Sequence, residues 1–288
     1  MTSHEFQNYR ENKIHTPDRF PYNTYLCSIP LDFTDVPLHW HEEAELIVIK
    51  KGSGTVSVDL NRYPVSANDI LIVLPGHLHS IHELPGHTME YENILFRTEL
   101  LFSRTDDICS DTFLAPLLEG KFTVEHYIRP GLSCYESILS LVQEMDSLCQ
   151  TQPEGYQLAL KGYLFQLFYL LIANRNEKVP TKSELRVLEK LKYIIGYIET
   201  HYAEPITIPQ MADLCYFSPS HFMKFFKANM GVSFIQYLNN YRLTAARRLL
   251  GASSLSILEI AQQCGFENLS YFNRLFKQKF GITPRQAR

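Results

Sequence analysis

The chain has 288 residues, 45% of them apolar and 20% charged, a composition that excludes a disordered or fibrous protein and leaves room for two or three cored domains. Its net charge of −4 hides an asymmetry: residues 1–183 carry 14 Lys and Arg against 24 Asp and Glu, whereas residues 184–288 carry 13 against 7. A basic tail behind an acidic front suits a C-terminal nucleic-acid module, because phosphate binding runs on charge neutralisation and counterion release.

The first residues lack the charged-then-apolar pattern of a signal peptide, and the longest apolar stretch, Tyr163 to Ala173, is about half a membrane span. The chain therefore reads as cytoplasmic, with no membrane partner. Its six cysteines have no close metal or redox spacing and read as reduced. Residues 1–21, polar and proline-interrupted, read as an N-terminal arm or a frayed terminus.

From 22 to 130 the pattern changes to short strands. Tyr22–Ile29, Glu45–Ile49, Gly54–Asp59, Asp69–Leu74 and Met89–Phe96 are rich in β-branched or aromatic residues and are punctuated by Gly, Pro and Asn. His39-Trp40-His41-Glu42-Glu43-Ala44-Glu45 followed by Gly52, with Gly76-His77-Leu78-His79 downstream, resembles the two motifs of cupin barrels. The resemblance implies an effector-binding barrel with His39, Trp40, His41, Glu45 and His79 at the effector. In metal-binding cupins the positions of His39, His41, Glu45 and His79 hold a divalent ion, and three imidazoles with a carboxylate suit Zn, Fe, Mn or Ni. The second motif departs from the enzyme pattern at Asn68, Leu74 and Glu83. The expectation is therefore no resident cofactor, with the histidines lining the barrel mouth or meeting a ligand; a divalent metal in the barrel is the alternative. Trp40, the only tryptophan, stacks on a sugar face or packs between strands, and the sequence leaves both open.

Residues 131–175 take a helical period. Tyr135, Ile138, Leu139, Leu141, Val142, Met145 and Leu148 form one stripe, and Leu158 to Ile172 form a second helix that is apolar nearly all round. Such a helix must be covered, by the barrel or by its copy in another subunit. The polar run around Pro180, residues 176–183, reads as a linker to the segment 184–288.

That last segment contains one unit written twice. Met211-Ala-Asp-Leu-Cys-Tyr-Phe217 corresponds to Ile260-Ala-Gln-Gln-Cys-Gly-Phe266, and Phe225-Phe-Lys227 with Gly231 corresponds to Leu275-Phe-Lys277 with Gly281. Thr207-x-x-Gln210 and Ser256-x-x-Glu259 have capping-box spacing and open the first helix of each copy. Ser218-Pro219 and Glu267-Asn268 start the second helices, and Gly231 and Gly281 end them. Ser233-x-x-Gln236 opens a helical run to Leu250 that would hold the copies at a fixed separation. Each copy is thus a helix-turn-helix candidate.

With these motifs in view, residues 187–288 closely resemble the DNA-binding domain of the AraC/XylS family of bacterial transcription regulators. The resemblance implies recognition helices at about 218–228 and 268–279 entering successive major grooves. If Phe222, Phe225 and Phe226 face inward, Ser220, His221, Met223, Lys224 and Lys227 are left facing out. If Phe272, Leu275 and Phe276 do so in the second copy, Asn268, Ser270, Tyr271, Asn273 and Arg274 face out. Arg pairs both acceptors of guanine and Asn both groups of an adenine edge, so Arg274 and Asn273 are the strongest base readers, with Lys224 shared between phosphate and base. The family also implies a small-molecule effector, a sugar in its sugar-responsive members, with the arm closing over the barrel. It further implies a homodimer through helices in the 131–175 position, and RNA polymerase as partner if the protein activates. One departure is the end of the chain, where Pro284 is followed only by Arg285-Gln286-Ala287-Arg288, so the last helix is expected to be short.

The expected fold class is multidomain α and β: an N-terminal cupin-like β-barrel, a helical dimerisation segment and a C-terminal all-α double helix-turn-helix domain. The expected function is a non-enzymatic, ligand-responsive regulator binding double-stranded DNA, controlling uptake or metabolism of a carbohydrate-derived molecule. A metal-dependent cupin sensor or enzyme fused to a DNA-binding module is the alternative.

Overall fold

Period-two alternation builds the N-terminal half into antiparallel strands, and period 3.6 builds everything after it into helices. The structure is a computed structural model that describes residues 16–17, 19–32, 35–176 and 179–288. Most of the expected arm lies outside the described residues. The chain forms two compact units, Met1–Leu188 and Glu189–Arg288.

In the first unit the strands are β1 (Tyr22–Ile29), β2 (Asp35–His39), β3 (Ala44–Val58), β4 (Asn61–Ser66), β5 (Ile70–Val73), β6 (His79–Glu83), β7 (Met89–Phe96) and β8 (Tyr127–Ile128). One path runs β1-β7-β3-β5-β8, while β2, β6 and β4 join through the far end of β3. Glu45–Ile49 and Gly54–Asp59, expected as separate strands, are two halves of β3. The first half pairs with β5 and β7, and the second with β4 and β6. The bend falls where the register shifts between Ile49 and Lys51, beside Gly52 at φ 76°, where a Cβ would collide with the Thr88 carbonyl. Glycine there reads as a strand break in the sequence, but it turns the strand without ending it.

Alternation along β3 sorts two layers. Ala44, Leu46 and Val48 face outward with Ile70, Ile72, Ile94 and Phe96, and α2 (Tyr135–Thr151) and α3 (Tyr156–Ala173) cover them with Ile138, Val142, Met145, Leu160, Leu164 and Phe168. Ile47, Ile49, Val56, Val58, Leu71, Val73, Ile81 and Tyr91 face inward as the barrel lining. A one-turn helix α1 (Ala115–Leu118) precedes β8. Lys50 on β3 bridges Glu92 on β7 and Asp146 on α2 at 2.7 and 2.5 Å, tying the helical layer to the sheet. The barrel covers only one side of α3. Leu158, Phe165 and Tyr169 remain exposed on the other.

Lys182 and Ser183, expected in the linker, begin α4 (Lys182–His201). The cause is a third capping box, absent from the sequence-based expectation. Thr181 Oγ1 accepts from the Glu184 N–H at 3.2 Å, and the Glu184 carboxylate accepts from the Thr181 N–H at 2.7 Å.

The second unit holds the duplicated element: α5 (Ile208–Leu214) and α6 (Pro219–Met230), then α7 (Phe234–Ala252), then α8 (Ile257–Gln263) and α9 (Leu269–Phe280). Both predicted capping boxes, at Thr207/Gln210 and Ser256/Glu259, are formed, and Gly231 and Gly281 end α6 and α9 in the left-handed region. The brace α7 meets both α6 and α9. Its Phe234 and Tyr237 pack on Phe226 at ring separations of 5.4 and 5.6 Å, and Lys279 on α9 donates to the Asn240 carbonyl at 3.0 Å.

The tight turns of the two copies differ in one residue. Tyr216 takes φ 56° with its ring in solvent, whereas the equivalent Gly265 takes φ 80° under Arg242. A Cβ on Gly265 would sit 2.8 Å from the Tyr202 carbonyl and 2.9 Å from the Arg242 guanidinium, which itself donates to the Tyr202 and Glu204 carbonyls. Only the second turn therefore requires glycine. After Gly281 the chain ends in a turn rather than the expected short helix, closed by Thr283 donating its N–H to the Gln286 side chain at 2.9 Å.

Candidate functional site

Four side chains of the barrel form a buried cage. His39 ends β2, His41 precedes β3, Glu45 lies near the start of β3, and His79 begins β6, so two strand pairings bring the cupin-like motifs together. One nitrogen from each of the three rings lies within 4.8 Å of the others. His41 Nε2 and His79 Nε2 lie 3.1 and 2.9 Å from the same Glu45 oxygen, Oε2. Trp40, the fifth predicted residue, is only half-buried.

The outer nitrogen of each ring is committed. His39, His41 and His79 point Nδ1 at the carbonyls of Pro37, Glu43 and His77, at 2.9, 3.0 and 3.0 Å. A carbonyl only accepts, so each Nδ1 carries the hydrogen, and a neutral ring then has a bare lone pair on Nε2. Two bare lone pairs facing one carboxylate oxygen would repel it. The pairing requires positive charge in the cage, supplied either by protons on Nε2 or by a cation.

Burial alone would raise the Glu45 carboxyl, but the His41 and His79 rings beside it outweigh that effect and hold the group well below the usual carboxylate range. The residues fit a divalent ion: the ligand set is three imidazoles and a carboxylate, and the carbonyl behind each ring fixes the tautomer that ligates through Nε2. When bound, such an ion would act as a Lewis acid toward an oxygen-bearing ligand.

Two further polar groups enter this interior that sequence reasoning missed. Asn93 and Tyr91 alternate inward along β7, and Asn93 Oδ1 is buried with no hydrogen-bond partner among the described residues. The signal was a polar Asn at a position of the strand Met89–Phe96 that shares its alternation with Tyr91. A buried acceptor left open in this way calls for a donor from a ligand or an ordered water.

The titrating groups of this unit make its stability pH-dependent. Burial, reinforced by His79 and His41, lowers His39 well below its ordinary value of 6.5, and burial with His77 lowers His126. Both rings stay neutral in the fold but protonate in the unfolded chain as pH falls through 6.5. The unfolded state then binds more protons and stability drops, by about 1.4 kcal/mol per pH unit for each group. Glu92, pushed up to about 7 by burial and by Asp146, works the other way, taking a proton in the fold before its unfolded value of 4.5. Protons held in the metal-free cage act in the same sense as Glu92, so the opposing groups offset one another between pH 7 and 5. Below 4.5 the depressed carboxyls Glu45 and Asp59 must be protonated, and stability is lost. The melting temperature of the metal-free barrel unit should therefore fall steeply below pH 4.5. A flat profile there would contradict the paired, ionised carboxyls.

In the second unit the outward faces are as the periodicity predicts, while of the expected inward residues Phe225 and Leu275 are only half-buried. Phe222, Phe226, Phe272 and Phe276 are buried, while Ser220, His221, Met223, Lys224, Lys227, Asn268, Ser270, Asn273 and Arg274 are all exposed. Asn268 is also the cap of α9, its Oδ1 accepting from the Tyr271 N–H at 2.9 Å, so that oxygen is engaged within the helix. His221 lies against Phe217 at 4.2 Å.

Two residues not assigned to base reading, Tyr271 on the outward face and Lys190 of α4, support these faces. Tyr271 accepts from Asn239 of α7 at 3.0 Å, and its ring lies under the Arg274 guanidinium at 5.3 Å. Lys190 of α4 donates to the Cys215 carbonyl at 2.8 Å, satisfying the end of α5, and covers the Phe217 ring. The six cysteines are free, and burial pushes Cys27 up to about 12 and Cys264 to about 11, so neither is an activated nucleophile.

A histidine-bearing barrel carried on one chain with paired helix-turn-helix units defines a ligand-responsive DNA-binding regulator. The AraC-like ligand binding domain family matches residues 31–168, and a helix-turn-helix domain family matches residues 211–288. The chain belongs to the AraC family of transcription regulators. It is 24% identical over 279 residues to the HTH-type transcriptional regulator YdeC of Bacillus subtilis (strain 168), covering 96% of this chain and 95% of that one. It is 25% identical over 288 residues to the HTH-type transcriptional activator RhaS of Escherichia coli (strain K12), covering 96% of each. ToxT from Vibrio cholerae is similar at 16% identity, covering 92% of this chain and 97% of that one, with a TM-score of 0.48. Among the described residues no helix is long and apolar enough to cross a membrane.

Proposed function

We propose that the His39–His41–Glu45–His79 cage is the effector site and that α6 and α9 read the operator, chiefly through Arg274, Asn273 and Lys224. The single observation carrying the effector site is a buried polar cage, with Asn93 Oδ1 open on the same inner face, inside a largely apolar barrel. A polyhydroxylated, carbohydrate-derived molecule suits it, since its hydroxyls can donate both to Asn93 Oδ1 and to the bare Nε2 of neutral His39. A sugar or sugar-acid panel should raise the melting temperature of the barrel unit with at least one member. No shift with any member would remove the carbohydrate assignment.

The exposed Leu158, Phe165 and Tyr169 on α3 support a homodimer through that helix, because an apolar stripe on a surface helix is otherwise left to water. The similarity to an activator supports RNA polymerase as the partner at the promoter. A second reading has its own observation: Glu45 facing two Nε2 atoms whose rings already carry a hydrogen on Nδ1 favours a divalent ion in the cage. Elemental analysis of untagged protein decides between protons and metal.

For DNA reading, Arg274→Ala should cost about 1–3 kcal/mol, about a 5- to 150-fold loss, on operator fragments selected from a random library by the wild-type protein. Preference at one base pair should relax at the same time. Equal loss on selected and unselected DNA would assign Arg274 to phosphate contact instead.

A further inference from the structure

Outside the barrel cage, three side chains from distant segments converge: Asp59 in the β3–β4 turn, His77 ahead of β6, and His126 ahead of β8. One ligand atom from each lies within 4.8 Å of the others. We propose that Asp59, His77 and His126 form a second divalent transition-metal site, open to solvent and separate from the cage.

The arrangement is more than a lone imidazole–carboxylate pair. His126 donates Nδ1–H to the Ile72 carbonyl at 2.8 Å, which leaves its Nε2 with the lone pair a metal needs. The His126 and His77 rings are 5.1 Å apart. His77 Nδ1 lies 2.8 Å from Asp59 Oδ2, and Asp59 Oδ1 accepts from the Leu78 N–H at 3.1 Å, so the carboxylate is held in place by backbone. Two neighbouring ligands at about 2.1 Å from one ion stand about 3 Å apart, so this nitrogen and oxygen are already spaced for a shared ion. Binding would replace the proton between them, which leaves to solvent.

Burial, with His77 beside it, favours neutral His126, and the interactions of His77, His126 and Leu78 keep Asp59 ionised despite its own burial. Neutral imidazole and anionic carboxylate are the ligating forms. His77 is 30% exposed and Asp59 19%, so an ion can enter and keep water in its remaining positions. Two imidazoles and one carboxylate suit Zn, Ni, Cu or Fe(II) rather than Ca or Mg. The His77 carbonyl also accepts from His79 Nδ1 at 3.0 Å, so the site adjoins the cage through one peptide group.

The test is Co(II) titration of full-length, untagged, chelator-treated protein, followed by visible absorption and calorimetry, comparing wild type with His126→Asn and Asp59→Asn. In His126→Asn the side-chain amide stands where Nδ1 stood and keeps a donor for Ile72, while Nε2 is removed. Wild type should bind one more equivalent of Co(II) than His126→Asn, and Asp59→Asn should weaken that equivalent by about tenfold or more. Comparing stoichiometries makes the result independent of whether the cage takes metal. If His126→Asn lowers the melting temperature, His77→Gln provides the same comparison. Equal stoichiometry and affinity in wild type and variants, including equally weak surface binding, would overturn the site.

Discussion

Phe276→Ala should remove about 3–5 kcal/mol from the DNA-binding unit. Phe276 is fully buried in the cluster of the second helix-turn-helix, with Phe272 and Phe280 rings at 5.6 and 4.6 Å. Truncation loses the transfer energy of the ring and leaves a cavity that α8 and α9 cannot close without shifting against α7. A domain of this size has a total stability of roughly 5–15 kcal/mol, so the melting transition should drop by about 15 °C or more. Operator binding should weaken with it, because α9 is then poorly positioned. Arg274→Ala, on the exposed face of the same helix, should leave the melting temperature nearly unchanged. Calorimetry of the two variants separates the faces, and an unshifted Phe276→Ala would mean that the helix is turned the other way.

Glu45→Ala should be the most damaging single change in the barrel. The carboxylate is buried between His41 and His79, and deleting one member of a buried ionic pair costs about 3–5 kcal/mol, mostly through the unpaired group left behind. Glu45→Gln keeps the shape and an acceptor oxygen, so its cost should be nearer that of one charge-assisted hydrogen bond, about 1.5–3 kcal/mol. Both variants should lose effector-dependent transcription while retaining operator binding, since the cage and the recognition helices belong to separate units. If Glu45→Ala melts like wild type and still responds, the cage is neither a structural pair nor the effector site.

Local rules made much of this chain legible. The capping boxes at Thr207 and Ser256, the glycine stops at 231 and 281 and the inward phenylalanines all follow from neighbours three or four residues away, the range over which helix signals act. The cage residues were legible as well, through their resemblance to a known motif.

Features that depend on partners far along the chain were not. Gly52 reads as a break until Thr88 is seen against it, and Gly265 differs from Tyr216 only because Arg242 and Tyr202 close over it. Tyr271 and Lys190 look like ordinary surface residues until Asn239 and the Cys215 carbonyl arrive. Asp59, His77 and His126 stand in three segments that only the closing of the barrel brings together.

The amino-acid order alone determined the two-part organisation, the doubled DNA-binding element and which side of each recognition helix meets solvent, because periodicity and caps act within a few residues. The tertiary structure alone decided that the cage must hold positive charge, that α3 is left half uncovered, and that a second imidazole–carboxylate cluster exists. Each of those depends on groups dozens of residues apart, and the energy of bringing charges and ring nitrogens within a few ångströms is set by the fold around them.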